Sequence, residues 1–563
     1  RDRCSSLGAF PHKTARSGAR RPTRAMIERR RRPPHIERLY REKGYWGTTL
    51  DAAFAERLNR CPHREVLRDS RGGLTFAGLS EAALRLARAL HDLGVGFEDR
   101  VVVQLPDGRD FAAVHLALAR LRAITVPVVP TYRAREMKAI LSSSGAVGVV
   151  TPGVFRGFDY AGMVEGLRGN LPSLRWAATA GEQAHENVLS LPGLLAADPL
   201  PRDAYPSGEP ESGDVLVLLW TAGSTGPSKG ILRTHDALLC HAATLARDLG
   251  YSAGTTIANF CPLTHVAGLV LLYIGFRQGS RLAVLERFEA ERALDLIEET
   301  RAEVVAAVPT QTIALLEAAA GRPEALRSVR KIHSGGGACP GAVKRQILID
   351  WGITFIDLYG MTEGVSATTR PEDPSEKVMT TSGKPGRSEE EMRILDAEGK
   401  PLPSGEAGEI VSLSPILFSG YFDDPKRTRE AHTPEGWFRT GDLGYFDPEG
   451  YLHVVGRQKE IIRRGSETIH PKEVEELLMT HPRIGEVAVV GVPDERYGER
   501  ACAFVKTVDG ETLTLEEVIR RLETAGLARF KFPERVEMVL GNFPRTADGK
   551  IHKLVLRQGL SEK

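Results

Sequence analysis

The sequence predicts an α/β protein. A large N-terminal domain of helix-covered, largely parallel sheets carries a β-rich subdomain, and a small α+β C-terminal domain follows. Three observations predict this. Apolar strand-like runs alternate with amphipathic helical stretches as far as about Gly383, the pattern of parallel sheets covered by helices. Beyond Gly383 the texture changes to short strands and frequent turns, such as Asp396-Ala-Glu-Gly399, Pro403-Ser-Gly405 and Asp447-Pro-Glu-Gly450. A new α/β unit then begins after the polar segment Gly456-Arg-Gln-Lys-Glu460. At 563 residues the chain also exceeds what one compact core holds, so two or more domains are expected.

The expected divisions are residues 1–34, 35–458 and 459–563, with the β-rich subdomain over about 383–455. The first segment is basic and poor in acids, carrying Arg1, Arg3, Lys13, Arg16, Arg20, Arg21, Arg24 and the run Arg29 to Arg32, with no Met before Met26. It reads as an upstream extension or a disordered tail, an organellar transit peptide being the alternative, and is set outside the fold. Composition narrows the function classes. With 42% hydrophobic and 26% charged residues the chain is that of a soluble globular protein, and a net charge of +2 gives no reason to expect nucleic acid or a membrane surface as partner. Six widely spaced cysteines without a C-x-x-C pair argue against a disulfide framework or a zinc site, and favour a reducing, cytoplasmic setting. No apolar run reaches the roughly 18 residues of a membrane span.

Taken in order, Ser80 is the expected N-cap of a helix with Ala83, Leu86, Leu90 and Leu93 on one stripe and Gly94 as its stop. A strand at Val101 to Leu105, a helix from about Asp110 to Leu121 and a strand at Ile124 to Val129 follow. The run Leu216 to Trp220 reads as a buried strand that empties into Thr221, Gly223, Ser224, Thr225, Gly226, Ser228, Lys229 and Gly230. Small residues let backbone N–H groups converge there, hydroxyls add donors and Lys229 adds a point charge, a combination suited to polyphosphate oxygens. It is not a Walker loop, since Ser228 precedes the lysine and Gly230 follows it. Further strands are expected near Thr256 to Phe260, Arg281 to Leu285, Val304 to Val308, Lys331 to His333 and Thr354 to Leu358. Their small or polar ends fall where such a sheet holds its ligand. The last hundred residues offer strands at Val487 to Val490 and Ala501 to Val505, and a helix at Leu515 to Ala525.

Five further stretches become informative together with the loop and Gly456-Arg457. They are Pro262-Leu-Thr-His-Val-Ala-Gly268, Ser334-Gly-Gly-Gly-Ala338, Leu358-Tyr-Gly-Met-Thr-Glu-Gly364, Arg439-Thr-Gly-Asp-Leu443 and Pro544-Arg-Thr-Ala-Asp-Gly-Lys-Ile551. In order and spacing, from about Tyr40 to the C-terminus, they resemble the adenylate-forming superfamily of acyl-CoA synthetases, aryl-acid–AMP ligases, peptide-synthetase adenylation domains and luciferases. Tyr40-Arg-Glu-Lys-Gly-Tyr-Trp46, Val101 to Pro106, Phe158-Asp-Tyr160 and Arg233-Thr-His-Asp236 look most like 2,3-dihydroxybenzoate– and salicylate–AMP ligases.

The resemblance implies a reaction in which a carboxylate attacks the α-phosphorus of ATP. Such chemistry needs positioning and charge stabilisation. It assigns nucleotide binding to Thr221, Gly223, Ser224, Thr225, Gly226 and Lys229 of the loop, and to Gly335, Gly336 and Gly337. Asp357, Gly360 and Met361 join them, with Tyr359 against adenine and Asp442 and Arg457 at the ribose. Thr362 would donate to the α-phosphate and Glu363 would hold Mg²⁺. Lys459 would be the hinge about which a mobile C-terminal domain turns, and Lys550 the lysine that bridges carboxylate and α-phosphate. His265 would orient the acid in a pocket with Val266, Leu271 and Gly336.

Val266 stands where dihydroxybenzoate ligases have an Asn that bonds the ring hydroxyl, and Leu271 replaces a small hydroxyl residue. Burying hydroxyls there would strand polar groups, at about 1–3 kcal/mol each. An apolar aliphatic, alicyclic or unsubstituted aryl acid is therefore expected. The acyl acceptor implied is CoA or, alternatively, a phosphopantetheinyl carrier protein as in siderophore or peptide synthesis. No nucleic acid or membrane span is expected, and a homodimer is compatible with the family. A non-catalytic nucleotide-binding regulator on the same fold would be favoured by loss of Thr362, Glu363, Asp442, Arg457 or Lys550, and all five are present.

Overall fold

Short β-branched and apolar runs build two large sheets, because a strand covered by helices on both faces must be apolar throughout. Arg100–Val103, Ile124–Pro127 and Val304–Ala307 are buried at every position. The computed structural model describes residues 27–181, 187–221, 229–337, 339–386, 391–465, 467–546 and 549–561. Gly223, Ser224, Thr225 and Gly226 of the expected phosphate loop, Ala338 and Ser466 lie outside these.

Among the described residues, one sheet runs Lys384–Pro385, Val365–Thr368, Thr354–Met361, Lys331–Gly335, Val304–Ala307, Thr256–Asn259, Arg281–Val284, Glu65–Asp69, Gly72–Thr75. It is parallel from Thr354–Met361 across to Glu65–Asp69, with antiparallel edges. The second runs Lys229–Thr234, Val215–Thr221, Ile124–Pro127, Arg100–Val103, Gly148–Thr151, Trp176–Thr179, Leu189–Ser190. One contiguous core joins residues of both sheets to the helices Phe76–Asp92, Arg109–Arg120, His235–Asp248 and Val266–Gln278. The last of these is buried without a break from Gly268 to Phe276, as expected of a helix apolar all round.

The first sheet reverses its winding between Thr256–Asn259 and Val304–Ala307: the chain leaves the former toward Arg281–Val284 and the latter toward Lys331–Gly335. Ligands of open α/β sheets lie in the crevice outside the strand ends at such a point. Four short strands, Glu391–Leu395, Gly408–Leu413, Phe438–Phe446 and Leu452–Arg457, form the antiparallel β-rich sheet. A hairpin of Ile484–Asp494 and Gly498–Thr507 carries the C-terminal sheet, covered by Pro471–Leu478 and Leu515–Thr524. No helix among the described residues is long and apolar enough to cross a membrane.

Several expectations need correction. The helix expected to be capped by Ser80 spans Phe76–Asp92, and Thr75 caps it by accepting from Gly78 N at 3.1 Å. Ser80 is buried inside it. Thr75 ends the preceding strand directly, so the cap lies a turn and more before the apolar stripe becomes visible. Of the segment set outside the fold, the described residues 27–34 pack against it. Arg30 N donates to Ser419 O at 2.7 Å and Arg32 Nη2 to Leu417 O at 3.0 Å, with Arg32 only 7% exposed. Both arginines use backbone carbonyls, a pairing that leaves no acidic signature in sequence.

Candidate active site

The strand Thr354–Met361 ends at Thr362-Glu363-Gly364, where Gly364 N closes the turn on Met361 O at 3.0 Å. Gly364 has φ +96°, and a Cβ there would lie 2.0 Å from Ile416 O, so the close approach of two backbones requires glycine. Glu363 is 5% exposed. Its Oε1 meets Lys229 Nζ at 2.5 Å and accepts from Tyr421 OH at 3.1 Å. Lys229 Nζ also donates to Tyr421 Oη at 3.1 Å. Lys229 opens the strand Lys229–Thr234 and pairs with Thr221 on the neighbouring strand, so both ends of the expected phosphate loop lie on adjacent strands, one of them at Glu363. Burial and the Glu363 carboxylate push the Tyr421 hydroxyl well above its ordinary range.

Beside this cluster, Tyr359 OH donates to Asp442 Oδ2 at 2.7 Å, and Arg457 Nε lies 3.3 Å from Asp442 Oδ1. The hairpin register places Asp442 opposite Arg457. Burial raises the Asp442 carboxyl from its ordinary value, opposed by Arg457 and Tyr359, and the charge of Lys550 also reaches it. Lys550 is exposed on a tight loop: Thr546 N donates to Lys550 O at 2.8 Å, Arg545 bridges Ile551, and Gly549 takes φ +83°. The charge of Lys550 is thus felt at the carboxylate of the Tyr359–Asp442–Arg457 group. Lys459 is exposed in a single turn, Gln458–Glu460, between the β-rich sheet and the strand Ile462–Arg464.

His265 occupies the N-cap position of the helix Val266–Gln278, without a side-chain cap, after the strand that borders the switch point. The helix Pro309–Ala319, which follows the strand Val304–Ala307, reaches the end of Thr256–Asn259 there, Gln311 Nε2 donating to Phe260 O at 3.0 Å. Gly335 ends its strand, Gly336 follows with φ +83°, and Gly337 borders Pro309. Gly360 lies so near Val365 O that a Cβ would approach it to 3.0 Å. Two expected residues make their described contacts away from Glu363 and Asp442. Val266 is half-buried, but Leu271 is 1% exposed in the core and sits about 140° round the helix from Val266. Asp357 gives its carboxylate to the buried Lys344, and its backbone to Thr369 and Thr368. Tyr421, Arg233 and Asp107 were not foreseen as site residues. Asp107 accepts from Leu263 N at 2.8 Å, and burial pushes its carboxyl up to about 7. Tyr421 sits among aromatics that carry only a core signal in sequence, so nothing local could have marked it.

The AMP-binding enzyme family matches residues 54–422, and the AMP-binding enzyme C-terminal domain matches residues 473–550. The chain belongs to the AMP-binding enzyme family. It is an AMP-forming, adenylate-forming ligase that uses ATP. It is 32% identical to the 2,3-dihydroxybenzoate-AMP ligase of Bacillus subtilis (strain 168), over 94% of this chain and 97% of that one. It is 31% identical to the medium-chain fatty-acid–CoA ligase of Escherichia coli (strain K12), over 93% of each. Relatives thus include both acid–AMP and acid–CoA ligases. ATP-bound MatB from Rhodopseudomonas palustris is 27% identical and superposes with a TM-score of 0.83, covering 91% of this chain and 99% of that one. The apo form of the same protein gives 0.73 over the same shares.

The residues fit a family-type Mg²⁺. No group of three or more His, Cys, Asp or Glu side chains among the described residues is arranged to hold a metal alone. Mg²⁺ instead takes one or two carboxylates together with substrate phosphates. Glu363 supplies one such carboxylate beside the strand end that carries the loop, and no described residue donates to its Oε2.

Proposed function

We propose that this AMP-binding enzyme is an acid–thiol ligase that adenylates an apolar aliphatic, alicyclic or aryl carboxylic acid and passes the acyl group to CoA. The observation that carries the reading is the convergence of Lys229, Glu363 and Tyr421 with Tyr359, Asp442 and Arg457, the charge of Lys550 reaching the same group.

In the first half-reaction a carboxylate oxygen of the acid bonds to the α-phosphorus of ATP. The bond from that phosphorus to the bridging oxygen breaks, and pyrophosphate leaves with the electron pair. Lys229 turns from Glu363 to the outgoing phosphates, and the loop from Thr221 to Lys229 with Gly223, Ser224, Thr225 and Gly226 encloses them. Glu363 would hold Mg²⁺, which supplies charge neutralisation on the phosphates when bound. Thr362 donates its hydroxyl to the α-phosphate and Lys550 bridges it to the acid. Asp442 accepts from the ribose hydroxyls beside Arg457, while Tyr359, Gly360 and Met361 border adenine with Gly335, Gly336 and Gly337. His265 orients the acid, with Val266 as the apolar wall.

In the second half-reaction the thiol sulfur bonds to the acyl carbon, AMP leaves with the electron pair, and the thiol proton passes to solvent. The C-terminal domain turns about Lys459 in between. The better fit to ATP-bound than to apo MatB supports the adenylating pose for the geometry described.

The second reading, a stand-alone aryl-acid–AMP ligase that loads a carrier protein, draws on relatives such as the Mycobacterium tuberculosis protein named salicyl-AMP ligase / salicyl-S-ArCP synthetase. Pyrophosphate release across benzoate, salicylate, cyclohexane carboxylates and fatty acids tests the acid. Comparison of CoA with a phosphopantetheinyl carrier protein tests the acceptor. Preference for salicylate together with carrier-only transfer would replace the first reading by the second.

A further inference from the structure

We propose that Arg233 is a positioning residue for adenylation: its guanidinium, buried beneath the turn that carries Thr362 and Glu363, fixes where those two side chains point. The inference rests on the adenylating reading above and extends it to a residue outside the expected site.

Arg233 lies in the strand Lys229–Thr234 and is 0% exposed. A buried guanidinium normally pairs with a carboxylate, yet among the described residues Arg233 has no such ion pair. Two of its nitrogens donate to backbone instead: Nη1 to Thr362 O and Nη2 to Ile416 O, the latter at 2.9 Å, while Nε is buried without a partner among the described residues. Those carbonyls belong to different segments that Arg233 holds to its own strand.

The segment from Ile416 to Phe422 runs beside the strand. Ser419 N donates to Leu232 O at 2.9 Å, Leu232 N to Gly420 O at 3.0 Å and Phe422 N to Gly230 O at 2.8 Å. It also touches the turn, since Phe418 N donates to Glu363 O at 2.7 Å, and it carries Tyr421, which bonds the Glu363 carboxylate. One planar fork thus joins the lysine strand, the Thr362–Glu363 turn and the segment that carries Tyr421. A lysine could offer one compact ammonium in its place but not two diverging donors. Charge agrees with the geometry. Burial lowers the guanidinium to about 10, and the nearby Glu363 carboxylate is the main charge that opposes this.

The test compares Arg233→Leu and Arg233→Lys with wild type, using the best acid among benzoate, cyclohexane carboxylate and octanoate. Pyrophosphate release is titrated with Mg²⁺ at fixed ATP. Mn²⁺ binding in the presence of a non-hydrolysable ATP analogue is followed by electron paramagnetic resonance. Thioester formation is started from supplied acyl-adenylate. Displacing reacting groups by about 1 Å can cost about 10²-fold, so R233L should lose about that factor in adenylation. R233L should also need several-fold more Mg²⁺ and bind Mn²⁺ correspondingly less well. R233K should recover part of the loss. Transfer from supplied acyl-adenylate should stay within about threefold of wild type, because that step no longer involves the triphosphate.

Wild-type adenylation and metal dependence in R233L would overturn the inference. So would equal loss of both half-reactions in R233L and R233K, the signature of a scaffold residue. A wild type with no acid-dependent pyrophosphate release would instead overturn the adenylating reading itself.

Discussion

Glu363 is the residue at which most of the site meets: a lysine, a tyrosine hydroxyl and a backbone N–H converge on it from two segments. Glu363→Gln keeps its shape and removes its charge. We expect pyrophosphate release to fall by about 10²-fold or more and the Mg²⁺ requirement to rise; an unchanged metal dependence would remove Glu363 from the metal-holding role. Lys229 and Glu363 could each be read from the sequence because each sits in a short motif with its own chemistry. Their contact could not, since 134 residues separate them, and a linear pattern carries no information about which loops face one another. Arg233 was legible only as part of a resemblance. An arginine in an apolar strand suggests a surface position, and only the fold shows that two backbone carbonyls accept from it.

At the scale of elements, the hinge is the most exposed to test. Lys459 occupies the turn Gln458–Glu460, and Glu460 is held by Lys553 at 3.0 Å, which also meets Glu475 at 2.8 Å. Lys472 Nζ donates to Val454 O at 2.6 Å across the same junction. Proline restricts φ and the residue before it, so Lys459→Pro should spare pyrophosphate release and abolish thioester formation. Equal loss of both half-reactions would argue against a hinge there. The strands of the parallel sheets were legible because a doubly covered strand is apolar throughout. The start of the helix Phe76–Asp92 was not, because its cap, Thr75, is also the last residue of a strand. Which face of Val266–Gln278 turns toward a pocket was not legible for a related reason: in a helix apolar all round, periodicity cannot tell the face toward a pocket from the face toward the core.

At the scale of the whole molecule, the shared core between the two large sheets holds histidines that burial keeps neutral. His115 is lowered to about 3, His235 to about 4, His241 to about 3 and His333 to about 4. His115 bridges Thr125 Oγ1 at 2.7 Å and Tyr273 Oη at 2.8 Å. In the unfolded chain these rings protonate near 6.5, so between that value and 4 the unfolded state binds more protons. Their contribution to stability is therefore complete above pH 6.5. It declines as pH falls toward 3–4, by up to about 1.4 kcal/mol per pH unit for each proton. The melting temperature should be level from pH 8 to 7 and drop steeply from 6 to 4.5, and a flat profile across that range would contradict the assignment of neutral buried rings.

In the proposed reaction Lys550, at the C-terminal end of the chain, completes an adenylating site assembled on the preceding residues. ATP–pyrophosphate exchange in Lys550→Ala tests it most directly. Acid-dependent exchange is expected in the wild type and a loss of roughly 10²–10³-fold in the variant, with thioester formation from supplied acyl-adenylate reduced far less. Exchange at the wild-type rate in Lys550→Ala would contradict it.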